Sequence, residues 1–117
     1  MNMCYSYIHM TDLHLKVCTA CKGLESPLGE IEVSKLLKEV DSWTVEHNSK
    51  IIKTFTFTNF QDSVYFINKV AKIAQQEGHH PDINLHHYKK VTISLSTHTI
   101  SGLSENDFIL ASKIDHI

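Results

Sequence analysis

The hydrophobic period of this chain changes sharply at one place, and that change limits the folds open to it. From Phe60 the apolar residues Val64, Ile67, Val70, Ala71 and Ala74 recur at helical spacing, which predicts a long helix over about 60–77. Asn59, with Asp62 three residues on, supplies its N-cap and first-turn acid. From Val91 the period is two. Val91, Ile93 and Leu95 alternate with Thr92, Ser94 and Ser96, the pattern of a strand over about 90–97. Between the two regimes stand Glu77, Gly78, His79, His80, Pro81 and Asp82. Gly78 accepts the left-handed conformation that closes a helix, and Pro81 cannot continue one, so both imidazoles fall in a short, stiff turn.

The remaining elements follow from the same periods. Ile31, Leu36, Leu37 and Val40 predict a short helix from Glu30, with acids early and Lys38 late to match its dipole. Trp43 and Val45 alternate with polar neighbours; His47, Asn48 and Ser49 then supply a turn, and Lys50 to Thr58 resumes the strand period. Ile51, Phe55 and Phe57 share one face of that strand, with Thr54 and Thr56 on the other, so one side of the sheet is core. Tyr65 and Phe66 widen the apolar arc of the long helix and read as core. Ile83 and Leu85 mark a short strand that pairs with 90–97 as a second hairpin. Ser104 caps a last helix running close to Ile117, with Phe108, Ile109, Ala111 and Ile114 for the core and Gly102 as the preceding turn. The order is α-β-β-α-β-β-α, in one domain over 30–117 behind an irregular arm, 1–29, that holds Gly23, Pro27 and Gly29. Met10 is an alternative natural start.

Composition narrows the function. A chain of 117 residues with 42% hydrophobic and 21% charged residues is an ordinary folded domain with one modest core. No apolar run approaches the roughly 18 residues of a membrane helix, and Met1 to Met10 lack the features of a secretory signal, so a cytoplasmic location is expected. Net charge is −2 and all 11 basic residues are lysines. Without a guanidinium fork, nucleic acid is a poor candidate ligand. Cys4, Cys18 and Cys21 are an odd set for a disulfide framework. Cys18 and Cys21 form a CxxC, but a structural zinc needs two more ligands, and Cys4, His9 and His14 stand at spacings unlike the common paired knuckle. A loop that happens to hold two thiols is the plainer reading.

Nine histidines remain to be explained, five of them (His79, His80, His86, His87 and His98) within twenty positions. His79 and His80 lie beyond the carboxyl end of the long helix, where its dipole favours the imidazolium form. His98 follows the last strand and, if that strand stays regular, continues its polar face. Should the two hairpins neighbour one another in a sheet, the turn and His98 converge on one cleft. Imidazoles with no Ser or Cys nucleophile beside them suit general acid and base work better than covalent catalysis. Against this stands the reading that adjacent histidines at a helix end merely cap and pack. A metal site is the third reading, limited because His86 and His87 point to opposite faces while their strand is regular.

The run EGHHPDINLHHY, followed by KVTISLSTH and then GLSENDFILASKID, resembles the pterin carbinolamine dehydratase family, known in animals also as a dimerisation cofactor of a homeodomain transcription factor. His79, His80, Pro81, Tyr88, His98 and Asp107 fill that family's pattern in order. KVCTACKGLESPL is similar to a segment seen in many bacterial members, so the resemblance runs from about Cys18 to the end. One departure is Gln75, where the family usually has a charged residue, most often Glu. Glu77 is a candidate to take over its electrostatic part.

The resemblance implies an α+β two-layer sandwich, a four-stranded antiparallel sheet with its helices on one face, assembled as a homodimer or homotetramer. It implies dehydration of 4a-hydroxytetrahydropterin, the product of aromatic amino acid hydroxylases, to quinonoid dihydropterin, with no metal or organic cofactor. By similarity His79 and His98 are the acid and base pair, and His80 binds and orients the pterin. Pro81, Thr97, Thr99 and Ile100 then line the pocket. Asp107 has two sufficient explanations, a pterin-binding place by similarity and the first-turn acid of a capping box with Ser104. The alternative function is a non-catalytic dimerisation or binding module for a partner protein.

Overall fold

The computed structural model describes residues 12–19 and 26–117. Cys4, His9, Met10 and Cys21, which enter the zinc and start-site readings, lie outside the described residues. Among these residues the helices are α1, Glu30–Leu37, α2, Phe60–Glu77, and α3, Glu105–Asp115; the strands are β1, Thr44–Glu46, β2, Lys50–Thr56, β3, Asp82–His86, and β4, Lys90–Leu95. The α-β-β-α-β-β-α order is the expected one. Short 3-10 turns at Leu13–Leu15 and His98–Ile100 are additional. No helix among the described residues is long and apolar enough to cross a membrane.

The strands make one antiparallel sheet in the order β1-β2-β4-β3, so the two hairpins join through β2 and β4. Ile51 pairs with Leu95, Phe55 with Val91 and Ile83 with Ile93, which puts the apolar residues of three strands on one face. Ile51, Val91, Ile93 and Leu95 are fully buried, and they share one core with Val33, Val70 and Phe108 from the three helices. Each such side chain contributes about 1.5–3 kcal/mol relative to leaving it exposed. The opposite face is polar: Thr54 and Thr92 meet across β2 and β4 with hydroxyl oxygens 2.8 Å apart.

Several side chains depart from the expected pattern for geometric reasons. Ile31 is exposed and Val33 is buried in its place, because Val33, Leu36, Leu37 and Val40 make the i, i+3, i+4, i+7 stripe and Ile31 falls outside it. On α2 the buried line is Ser63, Phe66, Val70 and Ala74, while Tyr65 and Ala71 face outward. That line shares Val70 and Ala74 with the expected stripe of Val64, Ile67, Val70, Ala71 and Ala74 and is turned from it by roughly 50°, about half a residue. Lys53 sits on the core side of β2, where it is tolerated because Nζ meets Asp115 Oδ1 at 2.8 Å and lies over the Phe55 ring. The indole of Trp43 donates to the same carboxylate at 3.1 Å. In α3 every residue from Asn106 to Ser112 is buried. A helix buried on all sides needs covering on all sides, and α3 packs against α1, α2 and the Leu13–Leu15 turn.

Both ends of α2 are set by local chemistry. Asn59 caps the first turn by accepting from the Asp62 N–H at 2.8 Å, and Gly78 closes the last with φ 66° and ψ 26°. Gly78→Ala is expected to cost about 1–2 kcal/mol in urea unfolding, from backbone strain alone, since an added Cβ would meet nothing within 4 Å. An unchanged midpoint would mean that the helix can end without the left-handed residue.

Candidate active site

Gly78 turns the chain so that His79, the next residue, points its ring at the start of α3. His79 Nε2 lies 2.6 Å from Asp107 Oδ1. Asp107 is fully buried and occupies the first turn of α3. Its second oxygen accepts from Thr97 Oγ1 at 2.8 Å and from the Ser104 N–H at 3.0 Å. Thr97 and Ser104 are themselves joined, hydroxyl to hydroxyl, at 2.8 Å. The carboxylate is therefore both the capping group of α3 and the holder of the His79 ring. With Nε2 engaged on a carboxylate, the tautomer is fixed and Nδ1 is left to exchange a proton with a ligand.

His79 opens on a cleft of about 330 Å³ whose lining includes Gly78, Glu77, Thr97, Thr99 and Asn106. Cys18 and Thr19, from the segment ahead of α1, complete it. His98 opens on a neighbouring hollow of about 420 Å³, shared with His47, Ser49 and Ser96, and Thr97 borders both. The parity expectation for His98 rested on a strand reaching residue 97, but β4 ends at Leu95. A Thr97–Gly102 bridge then folds His98–Ile100 into a 3-10 turn, with His98 exposed at its start. His80 is exposed, with Nε2 3.3 Å from Gln75 Oε1, so the residue that departs from the family pattern touches the second histidine of the turn. Pro81 is half-buried and Ile100 buried, and neither lines the His79 cleft. Tyr88 lies beyond the far end of β3 and is exposed.

His86 and His87 depart from the rule of opposite faces. The strand stops at His86, and His87 and Tyr88 take left-handed φ angles of 52° and 53°, so the two Nδ1 atoms come within 3.0 Å. No group of three or more His, Cys, Asp or Glu side chains among the described residues is arranged to hold a metal.

Four cleft residues escaped sequence reasoning: Cys18, Thr19, Glu77 as a structural partner, and Asn106. Only Glu77 left a signal. A carboxylate in the last turn of a helix opposes the dipole and calls for a partner. It has two, the Cys18 N–H at 2.8 Å and Lys113 Nζ at 3.6 Å.

Burial, reinforced by the Glu77 carboxylate, pushes the Cys18 thiol up to about 12. A thiol that holds its proton at neutral pH is neither a good nucleophile nor a ready metal ligand. Cys18 is expected to resist alkylation at pH 7–8 in the folded protein and to react on unfolding, read by mass spectrometry. The folded state binds this proton more tightly than the unfolded state does. The associated stability is therefore complete below the unfolded value near 9 and is lost as pH rises towards 12. Fast alkylation of the native protein would overturn this picture of the thiol.

Known proteins agree with the fold. Residues 26–117 match the family model described as pterin 4 alpha carbinolamine dehydratase. A protein of Nitrosospira multiformis assigned as a pterin-4-alpha-carbinolamine dehydratase is 43% identical over 104 residues, covering 89% of this chain and 90% of its own. One of Rickettsia canadensis with the same assignment is 43% identical over 107 residues, covering 91% and 97%. The crystal structure of a transcriptional coactivator/pterin dehydratase from Brucella melitensis superposes with a TM-score of 0.72 at 29% identity, over 78% of this chain and 97% of that one. With the helix order, the sheet and the residues that match, this chain belongs to the pterin-4-alpha-carbinolamine dehydratase family.

Proposed function

We propose that the protein removes water from a 4a-hydroxytetrahydropterin to give quinonoid dihydropterin, by general acid and base catalysis from histidine. The observation that carries this reading is the His79–Asp107 pair at 2.6 Å, a buried carboxylate fixing an imidazole that opens on a cleft. Loss of water breaks the C4a–O bond, forms the C4a–N5 double bond, and moves one proton to the departing oxygen and one away from N5. Hydroxide leaves poorly, so the first transfer needs an acid and the second a base. His79 and His98 are assigned these roles, and His80 the orientation of the pterin. Both transfers are proton transfers, so the reaction as written calls for no cofactor. Thr97 and Thr99, which line the cleft, are assigned to substrate contact, and Asp107 to binding through the ring it holds.

Synthetic 4a-hydroxytetrahydropterin should lose water faster with the wild-type protein, followed by absorbance in a stopped flow. No acceleration by pure folded protein rejects the reading. The source of the substrate would be an aromatic amino acid hydroxylase, and the setting the cytoplasm, which cell fractionation tests.

Self-association as a homodimer or homotetramer belongs to the same proposal. Phe60, Tyr65 and Ile117 are exposed, and Tyr65 and Ile117 border one hollow with Phe55 and Phe57. Light scattering should give a multiple of the chain mass. That apolar surface also suits the second reading, a binding module for a partner protein, which a stable complex indifferent to His79→Ala would favour.

A further inference from the structure

We propose that residues 16–19 are a strap that forms a specificity-determining wall of the His79 cleft, and that Asn106 and Glu77 are the positioning residues that hold it. The inference rests on the reading that this cleft receives the pterin. It concerns a segment ahead of residues 26–117, the span of the family model, though the relatives from Nitrosospira multiformis and Rickettsia canadensis align across it.

The strap has no regular structure of its own beyond the Leu13–Leu15 turn before it, yet its backbone is bonded at each place where it borders the cleft. Asn106 spends both ends of its amide on Thr19: Oδ1 accepts from the Thr19 N–H at 2.9 Å, and Nδ2 donates to the Thr19 carbonyl at 2.6 Å. That pairing imitates one rung of a β-ladder. Asn106 is only 7% exposed. A buried amide must be satisfied, and this one is satisfied entirely by an exposed residue of the strap. Glu77 accepts from the Cys18 N–H at 2.8 Å and faces Lys113, whose ammonium donates to the His14 carbonyl at 2.8 Å. His14 stacks on His116 with ring centres 3.7 Å apart, and Leu13 is buried in the core.

The two clamps sit beside the His79–Asp107 pair in the chain. Glu77 is two residues before His79, and Asn106 immediately precedes Asp107. The helix ends that present the His79–Asp107 pair therefore also fix the strap, and Cys18 and Thr19 border the space into which His79 opens. A ligand seated against His79 meets a wall whose position is set by these hydrogen bonds. Loss of a clamp should loosen ligand binding while leaving the proton-transfer groups in place.

Kinetics on the full-length protein test this with Asn106→Ala, Thr19→Pro, Glu77→Ala and Glu77→Gln. Thr19→Pro removes one clamp donor at an exposed position, so its outcome does not hinge on folding. The expected result for the first three is a KM raised about tenfold with kcat changed by less than about threefold. Hydrogen exchange at the Cys18 and Thr19 amides should speed up in Asn106→Ala and Glu77→Ala. Glu77→Gln keeps the acceptor and should restore both readouts. An active wild type whose variants keep their KM, even with lowered Tm, overturns the strap as a wall and leaves the dehydratase reading intact. A wild type that does not accelerate dehydration overturns that reading, and the strap's assigned role falls with it.

Discussion

Alanine at His79 is expected to lower the rate of pterin dehydration by about 10²–10⁴-fold, the usual worth of one acid or base group. The fold should survive. Asp107 keeps Thr97 Oγ1 and the Ser104 N–H as donors when the ring is gone, so the stability cost is about 1–3 kcal/mol. His79→Gln separates the two effects further, because an amide can still donate to Asp107 but cannot shuttle a proton. Stopped-flow kinetics alongside urea unfolding give both numbers. A rate within threefold of wild type in a folded His79→Ala protein would remove the ring from the mechanism.

Asp107→Ala should be the most disruptive single change, in stability and activity together. It deletes a fully buried acceptor of three hydrogen bonds and leaves the His79 Nε2, the Thr97 hydroxyl and the Ser104 N–H to find other partners. Each buried donor left without a partner in this way typically costs about 1–3 kcal/mol. Asp107→Asn is the gentler probe. It preserves shape but turns an amide donor towards one of those donors, so the ring loses its fixed orientation while most of the packing remains. Because Asp107 acts through His79, the activity losses should not add: His79→Ala with Asp107→Asn should be about as slow as His79→Ala alone. Additive losses would mean that the two residues act independently and that the 2.6 Å contact has no part in catalysis.

The helix that leads to the site was legible almost to the residue, since Asn59 and Gly78 cap it with local chemistry that needs no neighbour. The same holds for β4, whose alternation depends only on the pleat. Its end was not legible. On paper His98 continues the polar face of Thr92, Ser94 and Ser96, yet the Thr97–Gly102 bridge redirects the chain after Leu95. For His86 and His87 the left-handed turn residues, neither of them glycine, overrode the strand rule. The outward face of Tyr65 has a similar origin, since a helix stripe read from one sequence is uncertain by about one residue until its partner is known.

By itself the sequence determined the element order, the stiff turn bearing His79 and His80, and the capping role of Asp107, because each depends on residues within one turn of one another. Only the tertiary structure decided that Asp107, twenty-eight residues on, would close on His79. It alone placed His98 in the neighbouring hollow and laid Cys18 and Thr19 across the cleft. Contacts of that kind come from how helices pack on a shared sheet. Period and propensity describe which face of an element is buried, and say nothing of which buried faces meet.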